Sequence, residues 1–169
     1  MNTTLATPGA WPVTRWTTIA GVVAVADQLS KLLAVSTLEV HRPIPVIAPV
    51  FELMLTYNEG AAFSMLGDAS GWQRWLFITL ASVVSVLLVI WLSRLKAGER
   101  ATGWALTLIL GGAVGNLVDR VFRDGRVVDF IYLHYERFHW PAFNLADTAI
   151  CVGAAILVLT SFRKEHRGG

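Results

Sequence analysis

The apolar positions of the chain fall into four long runs separated by polar segments. The first extends from about Trp16 to Leu38 and is interrupted by Asp27, Gln28 and Lys31. The second, Trp72 to Leu92, contains no acidic or basic residue except Arg74 near its start. The third covers Ala101 to Val118, and the fourth, Trp140 to Phe162, encloses Asp147 about two turns in. A helix needs roughly 20 residues to cross about 30 Å of hydrocarbon, so each run predicts one crossing. The seven tryptophans, Trp11, Trp16, Trp72, Trp75, Trp91, Trp104 and Trp140, all fall at or near a predicted helix end. An amphipathic ring prefers that interfacial level.

Residues 39–71 differ in kind. Pro43, Pro45 and Pro49 exclude a continuous helix. Phe51, Leu53, Leu55 and Tyr57 alternate with Glu52, Met54, Thr56 and Asn58, which is the period of a strand. Asn58-Glu59-Gly60 reads as a turn. The predicted fold is therefore an all-α membrane protein: four transmembrane helices with a small extramembrane β-element between spans one and two.

Composition narrows this further. Of 169 residues, 54% are hydrophobic and 15% charged, against roughly 25% charged in soluble domains. The four runs leave no room for a soluble catalytic module, so residues 1–169 are predicted to be one integral membrane domain. The first run is too long and too polar at its centre for a cleaved signal sequence. A net charge of +2 argues against nucleic acid. An even number of spans puts both termini on one side, with Arg15, Arg94, Lys96, Arg100, Arg163, Lys164 and Arg167. Six arginines lie on the other: Arg42, Arg74, Arg120, Arg123, Arg126 and Arg137. The slight excess predicts cytoplasmic termini. The lone Cys151 excludes an internal disulfide and, among apolar neighbours, is expected to be a buried structural thiol.

Ionisable groups inside a span cost about 2.5–3.5 kcal/mol each on insertion scales, so each calls for a reason. Asp27 and Lys31, four apart, share a helical face and predict an ion pair. Asn144 precedes Asp147 by three and shares its face. Asn116, Asp119 and Arg120 cluster at the end of the third run. Asp129 lies in Val127-Val128-Asp129-Phe130-Ile131, an apolar stretch expected to return to the membrane surface. Asp129 and Asp147 thus approach one face of the membrane. Two carboxylates in a poorly hydrated site share a proton, and the ionised member can then activate water. The spacing equally allows Asp129 to be a loop residue and Asp147 to pair with Arg120. Other catalysts fit less well. His134 and His139, five apart, lack the spacing of a helical zinc site. Ser30 and Ser64 have no geometric claim on Lys31, and Gly67-Asp68 lies in a polar loop. Gly111 with Gly115, and Ala149 with Gly153, predict close packing of spans three and four.

Five motifs in order make the chain similar to the bacterial lipoprotein signal peptidases, also called signal peptidase II. They are Asp27-Gln28-Leu29-Ser30-Lys31, Asn58-Glu59-Gly60-Ala61-Ala62-Phe63-Ser64, Gly112-Ala113-Val114-Gly115-Asn116-Leu117-Val118-Asp119-Arg120, Val127-Val128-Asp129-Phe130-Ile131 and Phe143-Asn144-Leu145-Ala146-Asp147. The resemblance implies an aspartic endopeptidase of the bacterial inner (cytoplasmic) membrane, with its site toward the periplasm. It would remove the signal peptide of a prolipoprotein just before a diacylglyceryl-modified cysteine. It implies Asp129 and Asp147 as the catalytic dyad and Asn58, Asn116, Arg120 and Asn144 as substrate-binding residues. Asp27, Lys31 and Asp119 would be structural support, and the β-element a cradle for substrate. No metal or cofactor is implied. Membrane lipid and cyclic peptide inhibitors such as globomycin are implied partners. The competing reading from the residues alone is a non-enzymatic four-span carrier with Asp27, Lys31, Asp129 and Asp147 as an intramembrane proton relay.

Overall fold

The structure, a computed structural model, describes residues 10–60 and 72–165, and the side chains of 163–165 are not described. Ser64 and Gly67-Asp68 lie outside the described residues. Four helices are long and apolar enough to cross a membrane: α1 (Val13–Thr37), α2 (Trp72–Ser93), α3 (Arg100–Phe122) and α4 (Leu145–Glu165). Their outward faces carry apolar side chains such as Val22, Val25, Leu29, Leu80, Val83, Leu87, Val158 and Leu159, as lipid contact requires. Inside, Trp16, Ala20, Leu88, Leu92, Leu106 and Leu110 form one apolar cluster joining α1, α2 and α3.

Two boundaries differ from the sequence reading. The third helix continues past Val118 to Phe122, so Asp119 and Arg120 are helical. The fourth begins at Leu145, not Trp140, which places Asp147 in its first turn rather than two turns in. Asn144 is the residue before that helix. Its side-chain oxygen accepts from the Asp147 N–H (2.9 Å), and its own N–H donates to Asp147 Oδ2 (3.2 Å). This reciprocal cap satisfies two donors at the helix start.

The β-element is larger than residues 39–71 predict. Four strands, β1 (Ile44–Ile47), β2 (Phe51–Asn58), β3 (Val127–Tyr135) and β4 (Phe138–His139), form an antiparallel sheet in the order β1-β2-β3-β4. Half of it comes from the segment between α3 and α4. Asp129 is therefore a strand residue opposite Thr56, and Asn58 lies opposite Val127. The alternation of Phe51 to Asn58 is borne out by β2. The Asn58 turn is also present: its side-chain oxygen accepts from the Gly60 N–H at 2.8 Å.

Helices α3 and α4 pack most closely where glycine replaces a side chain. A Cβ on Gly112 would meet the Ala146 carbonyl oxygen, and one on Gly153 would sit 2.6 Å from the Ala105 carbonyl oxygen. The expected pairing through Gly111 is corrected: a Cβ there would meet Ala20 and Val23 of α1. Cys151 is also corrected. It is exposed, on the outward side of α4. Gly112→Ala is expected to lower stability by about 1–3 kcal/mol, because backbone rather than a movable side chain opposes the methyl. Thermal unfolding in detergent measures it. An unchanged midpoint would mean that α3 and α4 have slack at this level.

Candidate functional site

The polar residues of the spans gather at the end of the bundle where α1 and α3 finish and α4 starts. Deepest is an ionic knot. Lys31 Nζ lies 2.8 Å from Asp27 Oδ2 and 2.9 Å from Asp119 Oδ2, and all three side chains are fully buried. The predicted Asp27–Lys31 pair is present, with Asp119 as a second anion.

The knot's remaining lone pairs are used. Asp27 Oδ1 accepts the Ala146 N–H at 2.9 Å, so a carboxylate of α1 caps the start of α4. Asp119 Oδ2 accepts the Val128 N–H (3.1 Å), tying α3 to β3, and Asp119 Oδ1 accepts from Arg123 Nε (3.2 Å). Gln28 Nε2 donates to the Gly115 carbonyl (2.9 Å) and to Asp119 Oδ1 (3.1 Å). Burying charge is costly unless every partner is present, and here each carboxylate has several. Glycine at 115 makes room for the knot, since a Cβ would stand 2.6 Å from Asp27 Oδ2.

One layer outward, two asparagines carry the knot to two further carboxylates. Asn116 Oδ1 accepts from Lys31 Nζ (2.8 Å), while its Nδ2 donates to Asp147 Oδ1 (2.8 Å). Asn144 Nδ2 donates to Asp129 Oδ1 at 2.7 Å, with Asn116 Oδ1 and Val128 O at 3.2 Å. Asn144 thus touches both Asp129 and Asp147, one through its side-chain amide and the other through the helix cap. Asp129 is buried, Asp147 half-buried.

Burial pushes the Asp129 carboxyl up to about 6, helped by the negative charge of Asp147. Hydrogen bonds from Asn58 and Asn144 and the charge of Lys31 act in the other direction and are outweighed. Two carboxylates in one electrostatic site, one with a raised pKa, can hold a shared proton near neutrality.

Arg120 does not form an ion pair with Asp147. Its Nη1 donates to the Asn116 carbonyl at 3.3 Å, its guanidinium stands 5.1 Å over the Phe77 ring, and its buried Nε has no hydrogen-bond partner among the described residues. Ser30 donates to the Asp27 carbonyl of its own helix at 2.7 Å.

Asn58, Asn116, Asp129, Asn144 and Asp147 are therefore brought together, with Asp27, Lys31 and Asp119 directly beneath. The sequence reading gave no role to Gln28, the Ala146 and Val128 amides or Phe77. Gln28 was open to detection as an uncharged polar group inside an apolar run. The amides carry no side-chain signal.

The chain as a whole has known relatives. A family model described as signal peptidase (SPase) II matches residues 19–163. A lipoprotein signal peptidase of Pseudomonas aeruginosa (strain UCBPP-PA14) is 53% identical over 154 residues, 90% of each chain. One from Aeromonas hydrophila subsp. hydrophila is 48% identical over 153 residues, 90% of this chain and 91% of the relative. Two solved bacterial membrane enzymes share the fold. One has a TM-score of 0.79 at 26% identity, covering 90% of this chain and 95% of its own. The other has 0.82 at 25%, covering 95% of each. Matched along nine-tenths of its length at about half identity, this four-span chain belongs to the signal peptidase II, or lipoprotein signal peptidase, family.

Proposed function

We propose that the chain, acting as one domain, is an aspartic endopeptidase with Asp129 and Asp147 as its dyad. It removes the signal peptide from a prolipoprotein on the N-terminal side of a diacylglyceryl-modified cysteine. The observation that carries this is the single residue, Asn144, bonded to both carboxylates at the outer end of the bundle.

One carboxylate is ionised and the other protonated. The ionised member takes a proton from water as the water oxygen adds to the scissile carbonyl carbon. The protonated member gives its proton to the carbonyl oxygen, leaving a neutral tetrahedral diol. Collapse of the diol gives one hydroxyl proton to the carboxylate left ionised, re-forms the carbonyl and breaks the C–N bond, while the carboxyl formed in the first step protonates the leaving nitrogen, which restores the starting dyad. Proton count is conserved, and no group beyond the two carboxylates and one water is needed. Asn58, Asn116, Asn144 and Arg120 orient the substrate backbone. The guanidinium donors of Arg120 beyond the buried Nε suit carbonyl oxygens.

The position of Asp147 in the first turn of α4 sets the depth of the chemistry close to the membrane surface. A signal helix can stay in the bilayer and the acyl chains in lipid while the peptide bond meets the dyad. The termini are then cytoplasmic, the membrane the inner membrane of a bacterium, and the dyad faces the periplasm. A cyclic peptide such as globomycin competes for the same groups.

The diacylglyceryl group adds membrane affinity of about 0.8 kcal/mol per buried methylene, so it decides which peptides reach the dyad. The lipid-modified precursor is expected to be cut, and the same peptide with an unmodified cysteine cut at least tenfold more slowly. Incubating both with the protein in detergent and following product by mass spectrometry tests this. Equal rates would point to a general membrane peptidase.

A further inference from the structure

The end of the bundle opposite the two carboxylates carries a second cluster that the peptidase reading does not use. Trp11, Trp16 and Trp104 stack there, with ring centroids 4.6 Å (Trp11–Trp16), 5.9 Å (Trp16–Trp104) and 6.1 Å (Trp11–Trp104) apart. Two guanidiniums converge on one of these rings. Arg15 lies 3.5 Å and Arg100 5.5 Å from the Trp11 centroid. Both arginines are exposed, and among the described residues neither has a carboxylate in ion-pair range. The nearest acidic residue in sequence, Glu99, accepts the Lys96 N–H at 3.0 Å.

The backbone adds to this charge. Helices α1 and α3 both start here. Among the described residues neither Pro12 nor Glu99 caps its helix with a side chain, and neither first turn contains an acidic residue. Two helix N-termini thus bring their positive dipole ends beside two arginines. Trp16 is 2% exposed, and its indole N–H has no hydrogen-bond partner among the described residues. The Trp11 ring face attracts both guanidiniums, and their N–H donors have no hydrogen-bond partner among the described residues. The tryptophans set the level: indoles lie at the headgroup boundary of a bilayer.

We propose that Arg15 and Arg100, with the uncapped starts of α1 and α3, bind the phosphate of an anionic phospholipid in the leaflet opposite the two carboxylates. The tryptophan cluster serves as the floor against which the glycerol backbone rests. Guanidinium suits phosphate through paired N–H donors, and basic pockets between spanning helices hold such headgroups.

The test uses the full chain purified in detergent, titrated with phosphatidylglycerol, phosphatidylcholine or inorganic phosphate. Native mass spectrometry reads bound lipid, and thermal unfolding reads stabilisation. Phosphatidylglycerol is expected to be retained at least tenfold better than phosphatidylcholine. R15Q/R100Q should abolish that preference. R94Q/K96Q, which removes the same charge from the neighbouring loop, should keep it. Inorganic phosphate should stabilise less than the lipid, because it cannot use the aromatic floor. Equal retention of the two lipids by the unmodified chain overturns the proposal, whatever the variants do. So does equal loss in both double variants, which would reduce the effect to general surface charge. Equal stabilisation by inorganic phosphate would also overturn it.

Discussion

Asp129→Asn and Asp147→Asn are each expected to reduce cleavage of a lipid-modified precursor by roughly 10⁴-fold. Residues that act as a unit lose nearly everything when either is removed. Asparagine keeps the size of the side chain and an acceptor for the amides of Asn144 and Asn116, so the fold should survive. For Asp129 a second effect runs the opposite way. Its carboxyl titrates at about 6 in the folded protein, above its ordinary 3.8. A raised folded value means that its contribution to stability is full below about pH 4 and lost as pH rises through about 6. At pH 7–8 the folded protein carries a buried charge that asparagine lacks. Asp129→Asn should therefore be more heat-stable than the parent by up to about 3 kcal/mol there, with the gain shrinking as pH falls from 6 to 4. Cleavage assays and unfolding midpoints across pH 4–8 measure both. Cleavage near the parental rate in either variant would falsify the dyad. A stability gain that does not change with pH would remove the electrostatic account of Asp129.

Lys31→Met is expected to be the most destabilising single change in the polar interior. The lysine answers two fully buried carboxylates, Asp27 and Asp119. Methionine fills similar space, so loss of packing is small and the effect is electrostatic. Breaking a buried ion pair by removing one partner costs about 3–5 kcal/mol, which lowers an unfolding midpoint by on the order of 10 °C in a chain of this size. Arg123, at the edge of the knot, cannot replace it, because its Nε reaches only Asp119. Activity should fall as well, since the same lysine fixes Asn116 and through it Asp147. An unfolding midpoint within a degree or two of the parent would mean that the knot is not charged as described.

Much of this was legible in the residues, for identifiable reasons. The helices announce themselves because lipid leaves no alternative for twenty apolar residues. Asp27 and Lys31 stand one turn apart in the first of them, and the pair follows from helical geometry. The sheet was only half legible. Strand β2 alternates because it presents two different faces. Strand β3 does not: Val127, Val128 and Asp129 are all buried in succession, so the period of two is absent and the run resembles a loop that touches the membrane. The start of α4 was misplaced because hydropathy counts Trp140, Ala142 and Phe143 as span. The Asn144-x-x-Asp147 spacing is a capping pattern and marks the true boundary. Asp119 and Arg120 were cut from α3 for the same reason, since a polarity threshold ends a helix where its chemistry begins. The Ala146 and Val128 amides that donate to Asp27 and Asp119 could not have been foreseen, because a backbone N–H has no sequence identity.

The asparagines between the ionic knot and the outer carboxylates have one more consequence. Asn116 fixes Asp147 with one end of its amide and Lys31 with the other, and Asn144 Nδ2 donates both to Asp129 and to the same Asn116 oxygen. An amide transmits position and polarity, but it neither gives up nor takes on a proton at ordinary pH. The lysine and its two carboxylates are thus wired mechanically to Asp129 and Asp147 and insulated from them as acids. A proton on Asp129 or Asp147 has no route inward through these contacts. On the mechanism proposed above it passes instead to substrate or to water on the open side, which would keep the interior of the bundle from becoming a leak across the membrane.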